Sequence, residues 1–206
     1  MITDSEFVPL MNDKEVLNAT MNLKREFLTS EMDFIELGDD DFVALVFLAP
    51  TVGIALANGT ISLYEQLILN NKARKLSRGS YFLKRDPLLK GLRFLIENFD
   101  SWEDKFYSLV KVVMHSSLKR NSLVYKTLKS EDSLSGDLRI DMLNAPYVFI
   151  KFLSFIFLEE EDDLMNDRII SKVEHKKILE IGKKLDIAEI PLFKIFWDTF
   201  EVRSEN

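Results

Sequence analysis

Asn58-Gly59-Thr60-Ile61-Ser62-Leu63-Tyr64-Glu65 reads as a turn running into a helix. Asn-Gly is a turn dipeptide. Ser62 and Glu65 stand three residues apart, the spacing of a capping box. In that motif a hydroxyl and a carboxylate each take a backbone N–H that a helix start leaves free. The predicted helix runs on to about Leu76. The same signals return 109 residues later, where Asp167-Arg168-Ile169-Ile170-Ser171-Lys172-Val173-Glu174 aligns with 58–65. Ile61 meets Ile170, Ser62 meets Ser171 and Glu65 meets Glu174. Further down, Leu69 meets Ile178, Arg74 meets Lys183, Lys75 meets Lys184 and Leu76 meets Leu185. Five of the 19 aligned positions from 58 to 76 are identical. After a five-residue difference in spacing, Pro87-Leu88-Leu89-Lys90 resembles Pro191-Leu192-Phe193-Lys194.

An apolar stretch precedes each turn, about Phe42 to Ala57 in the first case and Pro146 to Leu158 in the second. The unit is therefore an apolar helix, a polar turn, a capped amphipathic helix and a Pro-started helix. Two such units bury faces that neither buries alone. Elsewhere apolar residues recur at three- and four-residue spacing, the helical period, and alternation with period two is not sustained. Only 7 Gly and 5 Pro among 206 residues leave few turns for a many-stranded sandwich. The expected fold is all-α, a helical bundle of two pseudo-equivalent halves. Residues 1–41 form an acidic N-terminal helix and lead-in, 42–118 the first half, 119–145 a polar linker and 146–206 the second half, together one compact domain. The first helix is expected from about Asp13 to Leu37, broken by Gly38 and the acids Asp39, Asp40 and Asp41. Asp86-Pro87 opens another, and Ser101-Trp102-Glu103-Asp104 starts one that reaches about Ser117.

Phe42 to Tyr64 is uncharged for 23 residues, which raises the question of a membrane span. Its strongly apolar part is only 16 residues long, and Pro50 and Gly53 interrupt it. A buried central helix is the expected reading. The start, Met-Ile-Thr-Asp-Ser-Glu, is acidic where a signal peptide is basic and then apolar. That points to the cytoplasm, as does the absence of Cys, which also removes disulfides, thiolate metal sites and cysteine nucleophiles.

Lys and Arg number 27 against 34 Asp and Glu, a net charge of −7 that disfavours nucleic acid as a partner. The distribution is uneven. Residues 1–41 carry 11 acids and 3 bases, whereas 65–93 carry 8 bases and 2 acids. The basic segment suits either phosphate and an anionic membrane surface or the chain's own acidic N-terminus.

Ala57-Asn58-Gly59-Thr60-Ile61-Ser62-Leu63-Tyr64-Glu65 resembles the Ala-Asp-Gly…Ser…Glu signature of the tellurite-resistance TerB family and the related N-terminal module of DjlA-type membrane chaperones. Residues 178–187 resemble the next helix of that family, and the likeness covers about residues 42 to 200. It implies an all-helical fold of two similar halves, without demonstrated enzymatic activity in most members. It also implies a role in stress response at the inner membrane surface and divalent-cation binding by clustered acids. Two departures stand out. Asn58 replaces the first acid and Arg168 the second glycine, and both lower the local negative charge.

Glu159-Glu160-Glu161-Asp162-Asp163 is an acid-dense run of the kind that suits Ca²⁺ or Mg²⁺. A divalent site would draw on Asp162, Asp163, Asp167 and Glu174; the other reading of the run is a solvated loop. Asn58, Gly59, Ser62, Glu65 and Ser171 are expected to be structural, forming the turn and the caps. No cofactor beyond that cation is expected. With two His in the chain a three-His site is impossible. Val112 and Lys172 stand three residues before His115 and His175, so neither belongs to the Glu-x-x-His pair of a di-iron bundle. His175 is expected on a wet helix face and His115 at a helix end. Nucleotide loops and a nucleophile elbow are missing, and no catalytic residue is assigned. Tyr147, Phe149, Phe152, Phe155 and Phe157, and likewise Phe193, Phe196, Trp197 and Phe200, read as core, or else as a ligand pocket.

The functional expectation is a non-enzymatic, TerB-like interaction or stress-response module acting through its charged surface, with a protein partner and peripheral contact with a membrane surface. A client-specific cytoplasmic chaperone and a small-ligand sensor with an aromatic pocket are the alternatives.

Overall fold

The computed structural model describes residues 11–29, 37–76, 86–119 and 168–203, together with residues 135, 140 and 153. Seven helices and one pair of short strands occupy these segments. The linker and the second apolar stretch, 146–158, lie outside them apart from those isolated residues. Leu153, from that stretch, is fully buried in the core.

Helix α1, Lys14–Thr29, begins where the Asp13 carboxylate accepts the Glu15 N–H at 2.9 Å. It buries Val16, Thr20, Leu23 and Phe27. That stripe at i, i+4, i+7 and i+11 is the signature of a one-sided helix. The described helix stops at Thr29, and Leu37 is not helical. Helix α2, Asp39–Ala55, starts on the three acids that were expected to break the chain. Carboxylates at a helix N-terminus meet its partial positive charge, so Asp39 to Asp41 open a helix instead of ending one.

Helix α2 is the axis of the molecule, with 13 of its 17 residues buried. It is apolar all round, as a helix surrounded by protein must be. It passes through both Pro50 and Gly53 without a break. Pro removes one backbone hydrogen bond, but packing on every side holds the helix together. A side chain at Gly53 would collide with the Tyr107 hydroxyl and lie 3.2 Å from Phe99, so this glycine lets α5 approach closely. Helix α3 spans Leu63–Leu76 and α4 spans Pro87–Glu97. Asp86 caps α4 by accepting the Leu88 N–H at 2.9 Å, and Pro87 sits where its missing N–H is harmless. Helix α5, Phe99–Lys119, starts two residues before the expected Ser101. Around α2 pack α3, α4, α5 and α6, while α1 lies on α5. Phe27 of α1 ties the layers together, with ring centroids 5.0 Å from Trp102 and 5.3 Å from Phe94 and from Phe106.

The last segment runs β1 (Arg168–Ile170), α6 (Lys172–Lys184), α7 (Pro191–Asp198) and β2 (Phe200–Val202). The strands pair in parallel, Arg168 with Phe200 and Ile170 with Val202. This is the one departure from all-helical character among the described residues. It is also where the two matched stretches part. Residues 59–61 belong to a turn, whereas the matched 168–170 form a strand. The cause lies at the far end of each Pro-started helix. After α7 the chain extends as β2 and offers a partner. After α4 only Asn98 intervenes before α5 begins.

Candidate functional site

The two caps form as expected, and they lie close together. Gly59 makes the turn before α3 with φ of 84°, and nothing stands within 4 Å of where a Cβ would be. Glycine is needed there for its left-handed backbone and not for space. Ser62 N–H donates to Glu65 Oε2 at 2.7 Å, and Glu65 N–H donates to Ser62 Oγ at 3.2 Å. Ser171 and Glu174 repeat both bonds at 2.7 and 3.2 Å at the start of α6. The Ser171 hydroxyl also donates to Asn58 Oδ1 at 3.4 Å, so the first turn touches the second cap. At position 168 the backbone is extended in β1. That explains the arginine, since an extended residue needs no glycine.

Asp162, Asp163 and Asp167 lie outside the described residues. Glu174 serves the cap, so a cation would have to compete with the Ser171 N–H for its carboxylate. Among the described residues no group of three or more His, Asp or Glu is placed to hold a metal ion.

The outer face of α3 is the feature that sequence reasoning missed. Leu63 is 86% exposed, Tyr64 64% and Leu67 57%. Leu63, Leu67, Asn71 and Arg74 succeed one another at three- and four-residue spacing and share a stripe. Tyr64 and Lys75 flank it, and all six are exposed. Glu65, the only acid of α3, is half-buried and bound into the cap. The helix packs inward through Leu69 and Ala73. Leucines at helical spacing suggest core, but the sequence match held a warning. Leu63 and Leu67 align with Lys172 and Lys176, and lysine at the matched positions favours an outward placement.

Helix α6 turns a charged side toward α5. Lys177 Nζ donates to Glu103 Oε1 at 2.7 Å, and Lys184 Nζ donates to Glu103 Oε2 at 3.1 Å and to Asp104 Oδ1 at 2.8 Å. Burial by itself would raise the Glu103 pKa. The hydrogen bonds and charges of the two lysines outweigh it and hold the carboxyl below its ordinary value. Lys184 also lies 5.3 Å from the centre of the Tyr107 ring. Burial, then the neighbouring Glu103 charge, pushes the Tyr107 phenol well above its ordinary range. Asp186, just past α6, takes a left-handed φ of 58° and pairs with Lys111 of α5.

His175 is half-buried rather than fully exposed as expected. Its ring stacks on Trp197 at 4.1 Å and 12°, and the two residues exchange hydrogen bonds. Trp197 Nε1–H donates to the His175 carbonyl at 3.1 Å, and His175 Nε2 lies 3.2 Å from the Trp197 carbonyl. A carbonyl can only accept, so Nε2 carries the proton of that bond. The indole covers the imidazole because α7 folds back on α6. His115 lies within α5, four residues before its end, with Nε2 buried. Phe193, Phe196 and Phe200 are buried against the core, as the packing reading of that stripe expected. The aromatics from 147 to 157 lie outside the described residues. No helix among the described residues is long and apolar enough to cross a membrane. The chain matches no protein-family model, no curated protein and no solved structure.

Proposed function

We propose that the protein is a non-enzymatic helical interaction module of the TerB-like kind, acting in stress response, and that its contact surface is the outer face of α3. One observation carries this reading, the exposure of Leu63, Tyr64 and Leu67 within five residues of one helix. Burying a leucine side chain is worth about 1.5–3 kcal/mol. Single exposed apolar residues are ordinary, whereas a contiguous stripe marks a surface that something covers. The resemblance of residues 57–65 supplies the TerB-like setting, and the capped turn that carries it delivers the chain directly into this stripe.

A photo-cross-linking residue placed at position 67 in cells tests the reading, with the same residue at exposed Glu97 as the control. An adduct at 67 and none at 97 is the expected result. Equal labelling at both positions would remove α3 as the contact surface.

A further inference from the structure

We infer that the outer face of α3 docks on an anionic lipid bilayer, with Leu63, Tyr64 and Leu67 entering the interface and Arg74 and Lys75 meeting lipid phosphates. The inference rests on the interaction reading above and names the partner's chemistry.

Charge argues first. The stripe carries two exposed cations and no acid, and the nearby Glu65 carboxylate is engaged by the Ser62 N–H and hydroxyl. The chain as a whole is net −7, which opposes contact with any anionic partner. At physiological salt, however, exposed charges are largely screened beyond about 8 Å, so the local stripe decides. Each cation close to an anionic leaflet raises partitioning roughly fivefold.

Shape argues second, and it suits a surface that yields around the projecting side chains. Protein interfaces seat their anchors in well-packed pockets. A leucine that is 86% exposed on the first residue of a helix projects outward. A bilayer deforms around such a projection, whereas a protein partner needs a matching socket. Tyr64 belongs at that level, its ring apolar and its hydroxyl wet. Leu63 and Arg74 are eleven residues apart, about 17 Å along a helix that rises 1.5 Å per residue. With α3 lying flat on the surface, both ends of the stripe reach the interface together.

The test floats the full-length protein with vesicles of phosphatidylcholine alone and of phosphatidylcholine mixed with phosphatidylglycerol. Binding to the mixed vesicles only is expected, fading as salt rises toward 1 M, where the Debye length is about 3 Å. The pair Arg74→Gln and Lys75→Gln should weaken binding roughly tenfold or more, and the pair Leu63→Ser and Leu67→Ser by about as much. All four side chains are exposed, so both variants should melt within a few degrees of the parent, which separates lost docking from lost folding. Failure to bind mixed vesicles overturns the inference, as does binding that neither pair weakens. A protein adduct at position 67 without vesicle binding overturns the lipid assignment and leaves the interaction reading standing. If position 67 labels neither lipid nor protein, both fall.

Discussion

Helices α3 and α6 begin on the same cap and share their inward residues. Leu69 and Ile178 are buried at matching positions, and so are Ala73 and Gly182. Their outward residues differ. Where α3 shows Leu63 and Leu67 to solvent, α6 shows Lys172 and Lys176. Where α3 has Ile68, α6 has Lys177, which reaches across to Glu103. The lesson is that the cap and the core side can be held while the outer side is reassigned. One helix uses its charges to fasten α6 to α5, and the other leaves an apolar stripe exposed to solvent.

That comparison can be broken most forcefully in the core. Leu69→Ala and Ile178→Ala should each lose roughly 2–5 kcal/mol, because both leave a cavity at a fully packed site. Urea unfolding should show one transition for each variant, shifted by similar amounts. Two separated transitions would mean that the matched helices belong to independently folding units.

Next in size is the small residue of each helix. A Cβ at Gly182 would run into the Phe193 ring, which α7 holds fully buried. Gly182→Ala gains about 0.5–1 kcal/mol of helix propensity and loses about 1–3 kcal/mol to overpacking. The net should be destabilising, and Phe193→Leu should recover part of it in a double-mutant cycle. A neutral or stabilising Gly182→Ala would show that Gly182 and Ala73 are interchangeable after all.

The ion pairs of α6 give the comparison a pH dependence. The Glu103 carboxyl titrates below its ordinary value in the folded state. Its stabilisation is therefore complete above the ordinary glutamate range and is lost as pH falls through the lowered folded value. Glu103→Gln should cost roughly 1–2 kcal/mol at neutral pH, since the site is only partly buried. It should also flatten the loss of melting temperature on acidification. An unchanged acid slope in the variant would show that Glu103 does not fasten α6.

The smallest effects belong to the caps. Ser62→Ala should cost about 1 kcal/mol, the usual worth of a cap. Ser171→Ala should cost a few tenths of a kcal/mol more, roughly 1.3 kcal/mol within the usual capping range, because Ser171 is half-buried and also holds Asn58. Equal losses in thermal melts would show that the link to Asn58 contributes nothing.

Much of the architecture was legible because its signals are local. The capping boxes at Ser62 and Ser171 act over three residues, Asp86-Pro87 over two, and the apolar run around Phe47 excludes any place but the centre of the protein. The boundaries failed where a residue has two uses. Asp39, Asp40 and Asp41 look like a loop and are a helix start, and Pro50 looks like an interruption and is held by its surroundings. The candidate site was less legible. Leu63 and Leu67 have the spacing of a core stripe, and only their lysine counterparts in the matched stretch hint at exposure. His175 looked wet because its covering indole comes from Trp197, 22 residues away.

The sequence by itself determined the helices, their caps and the greasy axis, because capping and hydrophobic periodicity act between neighbours in the chain. Tertiary structure alone decided which face of α3 turns outward, which lysines of α6 meet Glu103, and that residues 168–170 become a strand. Each of those outcomes depends on a partner supplied by a distant segment, and no local rule contains the partner's position.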